Sequence, residues 1–298
     1  MPGTTFVLTA YRWEGESMPS HWGMWRHLPL VIRACLVGLL VAAVGELPWV
    51  LLGQINVRIS PSIPWAVVAM GLWLFAYWKY MSGAGWPLTT RASRVECFRS
   101  PRISKQTWQW ALISGGLAVL SLIALELLAL RLVQAPMGQS APGPAIPLYS
   151  LLPFAVMSAV ASAIPEEIGF RGTMQVPLER GNHPAFAIGF VAVVFGMVHM
   201  SHGPSVFLLF DFGFGLVYGA LAFYANSLLP GVVLHCGFNL VLFLGGRHIV
   251  SAITARTTLW DSAVSFWFWI CGAAFVFSGA YATYALRKLA LTSSRFDG

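Results

Sequence analysis

Long apolar runs, broken by proline, glycine or charge, recur along this chain and give it its first reading. Their limits predict eight helices, at about 28–53, 62–82, 107–133, 147–176, 183–200, 205–225, 228–245 and 264–286. Most approach the roughly 20 residues that an α-helix needs to cross a bilayer. The fourth is long and interrupted at Pro165. The runs show no repeat of 20–50 residues and no heptad pattern. The expected architecture is all-α: a polytopic integral membrane protein with about eight transmembrane helices around an intramembrane polar cavity.

Composition agrees. Of 298 residues, 57% are hydrophobic and 10% charged, against about 25% charged in an ordinary soluble domain. No stretch is polar enough for a separate soluble domain, so residues 1–298 read as one membrane domain. The net charge of +7 need not mean nucleic acid, because the basic residues sit where topology signals do. The loop between the second and third runs carries Lys79, Arg91, Arg94, Arg99, Arg102 and Lys105. Placing it in the cytoplasm also puts Arg12, Arg26, Arg180, Arg287, Lys288 and Arg295 inside, leaving Arg58, Arg131, Arg247 and Arg256 outside. Both termini are then expected in the cytoplasm, with 134–147 an uncharged extracytoplasmic linker. The N-terminal stretch lacks the order of a signal peptide, so the first run is expected to be an uncleaved anchor. Tryptophans near the predicted ends, Trp49, Trp65 and Trp86 among them, read as an interfacial belt. Cys35, Cys97, Cys236 and Cys271 have neither disulfide-framework nor zinc-knuckle spacing.

Ionisable groups inside a span cost about 2.5–3.5 kcal/mol each on insertion scales and call for a partner or a task. Glu46, near Pro48 and Trp49, reads as a snorkelling acid at a span end. Glu126 precedes Arg131 by five residues and can pair with it loosely; Asp211 is ambiguous. One cluster stands apart: Pro165-Glu166-Glu167-Ile168-Gly169-Phe170-Arg171. Helical spacing puts Glu167 and Arg171 on one face, within reach of a salt bridge, and turns Glu166 about 100° away, free for another role. A packing ion pair accounts for Glu167 and Arg171 and leaves Glu166 unexplained.

Two further pieces join it. Phe195 to His199 closes the fifth run, and His235 and Asn239 lie one turn apart in the seventh. Taken singly, a membrane histidine is more often a helix-to-helix hydrogen bond. From Gly181, in the turn after the fourth run, it is 15 residues back to Glu166 and 18 forward to His199. An antiparallel hairpin therefore sets the two at depths that differ by about 4–5 Å. His235 falls about 10 Å in from the same side.

A carboxylate, two histidines and an amide can hydrolyse a carbonyl. Glu166, helped by His199, can take a proton from water, while His235 and Asn239 donate hydrogen bonds to the oxyanion. Arg171 would hold Glu167, and that pair would shape the pocket. Glu166, His199 and His235 also have the composition of a catalytic zinc set, although no HExxH spacing is present. There is no GxSxG elbow, and Asp211 has no evident aspartate partner in another span.

These residues resemble the three motifs of the CAAX protease and bacteriocin-processing family: EExxxR at Glu166, Glu167 and Arg171, FxxxH at Phe195 and His199, and HxxxN at His235 and Asn239. The run Phe214-Gly215-Leu216-Val217-Tyr218-Gly219, followed by Ser227-Leu228-Leu229-Pro230, also resembles the family's stretch before its last motif. The resemblance covers about 150–245, which would be the catalytic core. It implies an all-helical intramembrane endopeptidase acting on a membrane-associated protein or peptide. In it the Glu166 position activates water beside His199, and the His235 and Asn239 positions stabilise the oxyanion. Family members have been described both as metalloproteases and as metal-independent glutamic proteases. The glutamic type is the expectation here, with no cofactor, because Asn239 is a poor zinc ligand and a good donor; zinc on Glu166, His199 and His235 is the alternative. The expected setting is the cytoplasmic membrane of a prokaryote, with the lipid bilayer and no nucleic acid as partner. Two rival classes stay open. One is a proton- or ion-coupled transporter, against which stands the lack of an inverted repeat or paired broken helices. The other is a non-catalytic immunity-type membrane protein.

Overall fold

The computed structural model describes residues 27–99, 102–133, 147–202, 205–246 and 265–292. Arg12, Arg26, Arg247, Arg256, Arg295, the tryptophans before residue 27 and the linker at 134–146 lie outside the described residues, as does the side chain of Arg131. The described chain is helical, without strands. In order come α1 (Leu30–Ile59), α2 (Trp65–Met81), the short α3 (Arg91–Cys97), α4 (Lys105–Val133), α5 (Leu148–Gly181), α6 (Pro184–Val198), α7 (Ser205–Ala225), α8 (Leu229–Val241) and α9 (Ser265–Thr292). Four of these are long and apolar enough to cross a membrane: α1, α4, α5 and α9. Helices α6, α7 and α8 are apolar but shorter. Large apolar side chains face outward, among them Leu40, Leu72 and Phe277. With the apolar composition, this is the surface of an all-α integral membrane protein.

Local chemistry sets the helix ends. His183 caps α6, its Nδ1 accepting from the Ala185 amide at 3.2 Å, with Pro184 in the first turn. Buried Asn56 ties the end of α1 to the start of α2. Its Nδ2 donates to the carbonyls of Ser60 and Ile63, and its Oδ1 accepts from the Ala66 amide at 2.8 Å. Two of the basic loop residues are structural as well as topological. Arg94 is buried and donates to the carbonyls of Tyr80, Ala84, Gly85 and Pro87. Arg99 is buried against α5, donating to the Arg171 carbonyl at 3.3 Å and pairing with Glu179 at 2.7 Å. Trp49 also turns inward, donating to Ser158 Oγ at 3.1 Å.

Helix α5 is the axis of the fold. It runs unbroken for 34 residues, longer than the fourth run predicted, and Pro165 does not end it. The irregularity lies just beyond, where Glu167–Met174 form a π-helical turn. The Thr173 hydroxyl donates to the Ile168 carbonyl five residues back, at 3.0 Å, in step with i→i+5 pairing. Helix α1 lies antiparallel to this segment through small residues. A Cβ added at Gly169 would fall 2.7 Å from Ala42 Cβ, one at Gly38 would fall 2.8 Å from Met174 Cβ, and one at Gly45 would fall 2.5 Å from Pro165 Cβ. Only glycine admits backbones this close, the usual device of packed membrane helices. Helices α6, α7 and α8 cover the other sides of α5, while α4 and α9 pack along each other.

Candidate active site

Helix α5 presents two polar stripes that meet at the π turn. Ser158, Ser162 and Glu166 follow one another at four-residue spacing before it; Glu167, Arg171, Gln175 and Glu179 do so through and beyond it. The second stripe is closed. Glu167, Arg171 and Gln175 are fully buried. Arg171 Nη1 lies 3.3 Å from Glu167 Oε1, and the guanidinium sits over the Phe195 ring at 4.4 Å and near Tyr218 at 5.4 Å. Gln175 Nε2 donates to Glu179 Oε1 at 2.7 Å and to the Gly219 carbonyl at 3.0 Å.

The three distant motif segments converge on the first stripe. Glu166 Oε1 lies 3.9 Å from His199 Nε2, and Glu166 Oε2 lies 3.7 Å from His235 Nε2. Its side chain is 9% exposed and that of His199 is 17% exposed. His199 Nδ1 is 2.8 Å from the Phe195 carbonyl. A carbonyl only accepts, so Nδ1 carries a proton, and Nε2 is the nitrogen that faces Glu166. Helix α6 ends at Val198, and His199 opens a tighter turn, His199–His202.

His235 is held on two sides. Its Nδ1 is 3.1 Å from Glu167 Oε1, and its ring stacks on Tyr218 with centroids 4.9 Å apart and planes 16° apart. Sequence spacing assigned Glu167 to Arg171 alone; in the structure it serves both, because α8 brings His235 against the same carboxylate. Gly231, one turn before His235 on α8, makes room for it, since a Cβ there would fall 2.8 Å from Glu167 Oε2. Asn239 Nδ2 donates to Ser162 Oγ at 2.8 Å, which leaves its second N–H free for another acceptor. Nothing in the spacing of the motifs singled out Ser162, although its place four residues before Glu166 puts it on the same face.

The other intramembrane acids, Glu46, Glu126 and Asp211, stand on α1, α4 and α7. Glu46 lies in the middle of α1, not at a span end, because α1 continues to Ile59. Glu126 is within electrostatic reach of Asp211. Glu166, His199 and His235 meet, but among the described residues no three acidic, histidine or cysteine side chains close into a group able to hold a metal ion.

A helical membrane protein with a carboxylate set between two imidazoles, and an amide one turn away, has the parts of a hydrolase. Residues 148–241 match the family model described as Rce1-like, type II CAAX prenyl endopeptidase Rce1-like. This segment is just under a third of the chain and contains all three motifs. It is the same protease family that the motif spacing resembles, and the match supports protease activity on a protein or peptide in a membrane setting. No curated protein and no solved structure matches the chain.

Proposed function

We propose that the protein is an intramembrane endopeptidase of glutamic type, cleaving a membrane-associated protein or peptide with Glu166 as the base. The observation that carries this reading is the placement of the Glu166 carboxylate between the two histidine Nε2 atoms, 3.7 and 3.9 Å away. Those gaps are too long for direct hydrogen bonds and suit a water held between carboxylate and imidazole.

In the first step Glu166 takes a proton from that water, with His199 Nε2 accepting its other hydrogen bond, and the oxygen attacks the peptide carbonyl. The C=O π pair moves onto oxygen. Asn239 Nδ2–H donates to this oxyanion. His235 can donate through Nε2 only as imidazolium, because Nδ1–H is given to Glu167. In the second step protonated Glu166 hands its proton to the leaving nitrogen as the C–N bond breaks, regenerating the carboxylate. Arg171, 3.3 Å from Glu167 Oε1, holds that carboxylate in place.

The chain is proposed to work in the cytoplasmic membrane of a prokaryote with both termini inside, supported by the excess of Lys and Arg on that side. The deciding experiment is cleavage of membrane-associated peptides by purified protein in detergent, comparing wild type with Glu166→Gln and with chelator-treated enzyme. Loss of turnover in the variant with retained fold, and no loss on chelation, supports the glutamic reading. Loss on chelation reversed by zinc would replace it with a metal mechanism on Glu166, His199 and His235.

A further inference from the structure

We infer that Glu46, on the helix that carries no motif, is a specificity-determining residue of this site and binds a lysine or arginine side chain of the substrate near the scissile bond. The inference rests on the endopeptidase reading above. Helix α1 borders the stripe of Ser158, Ser162 and Glu166 on one side, where Trp49 donates to Ser158. Helix α8 borders it on the other, where Asn239 donates to Ser162. Between its contacts with α5 at Gly45 and Trp49, α1 carries Glu46, one residue past the glycine that packs on Pro165 and one turn beyond Ala42.

Glu46 is half-buried, makes no hydrogen bond or ion pair among the described residues, and lies within electrostatic reach of Glu166. An acid at this depth carries an insertion cost of about 2.5–3.5 kcal/mol, so a structural role would require a cation beside it. The cationic groups near Glu166 do not serve: Arg171 is fully buried beside Glu167, and His235 is buried and bonded to that same carboxylate. Among the described residues, neither carboxylate has a lysine or arginine free to pair with it, and the complement arrives with the substrate. A lysine or arginine supplies both the charge and the donors for a charge-assisted hydrogen bond to the free carboxylate.

The test uses the full-length protein and a peptide series carrying lysine, alanine or glutamate at each position within three residues of the cleaved bond. Wild type should prefer lysine over alanine at one position by about tenfold in kcat/KM, chiefly through KM, the size of one charge-assisted hydrogen bond. Glu46→Gln should flatten that ratio, and Glu46→Lys should turn it toward glutamate. Glu126→Gln, away from the stripe, should keep the wild-type ratio. A lysine preference that survives in Glu46→Gln, or a wild type indifferent to charge, overturns the inference. Photo-crosslinking of the same peptides separates this from failure of the endopeptidase reading. Without any turnover, lysine-dependent capture that Glu46→Gln loses still supports Glu46 as the docking group, and capture blind to Glu46 rejects it.

Discussion

Glu166 and Glu167 are adjacent in sequence and opposite in circumstance. Glu167 is wholly buried, paired with Arg171 and bonded to His235. Glu166 is almost as deep, and each carboxylate has an Oε2 without a hydrogen-bond partner, but the groups nearest Glu166 stand off at 3.7 and 3.9 Å. The π turn that begins between them sends one carboxylate into a closed brace and leaves the other facing a gap. Burial therefore does not separate the two carboxylates; close contact does. Glu167 touches an imidazole and a guanidinium and braces both, while Glu166, held near its neighbours without touching them, keeps its lone pairs open to a bound molecule.

The sharpest break in this contrast is functional. Glu166→Gln is expected to lower kcat by about 10³-fold, within the range of general acid–base catalysis, with thermal unfolding in detergent unchanged within a degree or two. A variant that keeps full turnover would remove Glu166 from the chemistry. Next comes stability. Arg171→Met alone strands the Glu167 charge and should cost about 3–5 kcal/mol. Adding Glu167→Gln should return much of that loss, since the amide can still accept from His235, and denaturation of both variants reads the difference. A smaller effect is expected at the oxyanion side. Asn239→Ala should reduce kcat by about 10²-fold with little change in KM, and steady-state kinetics on one peptide separates the two. Smallest is Ser162→Ala, which frees Asn239 from its tether and should cost about 0.5–1.5 kcal/mol in stability, seen as a lower unfolding midpoint.

Much of this was legible beforehand. Apolar runs located the helices because a bilayer imposes length and polarity on any segment that crosses it. The spacing 167/171 gave a pair that depends only on helix periodicity, and 235/239 a shared face. What the sequence did not disclose depends on packing between distant segments. The bond from His235 to Glu167 needs α8 pressed against α5, with Gly231 leaving space. The π turn needs the crowding of α1 at Gly169 and the hydroxyl of Thr173. Glu46 is mid-helix, not near an end, because the first helix passes residue 53 and runs to Ile59, where Asn56 fastens the corner beyond it. A mid-helix acid with no basic residue one turn away is the signal that would have flagged it.

The glycine seam between α1 and α5 reaches beyond packing. Gly38 and Gly45 act as a gauge, fixing how near the first helix stands to the segment that carries both glutamates. A methyl group at Gly38 would collide with Met174 and the Gly169 carbonyl, and one at Gly45 with the Pro165 ring, so either would force the two helices apart. On the proposed reading, the rate is then expected to be tunable from α1, outside all three motifs.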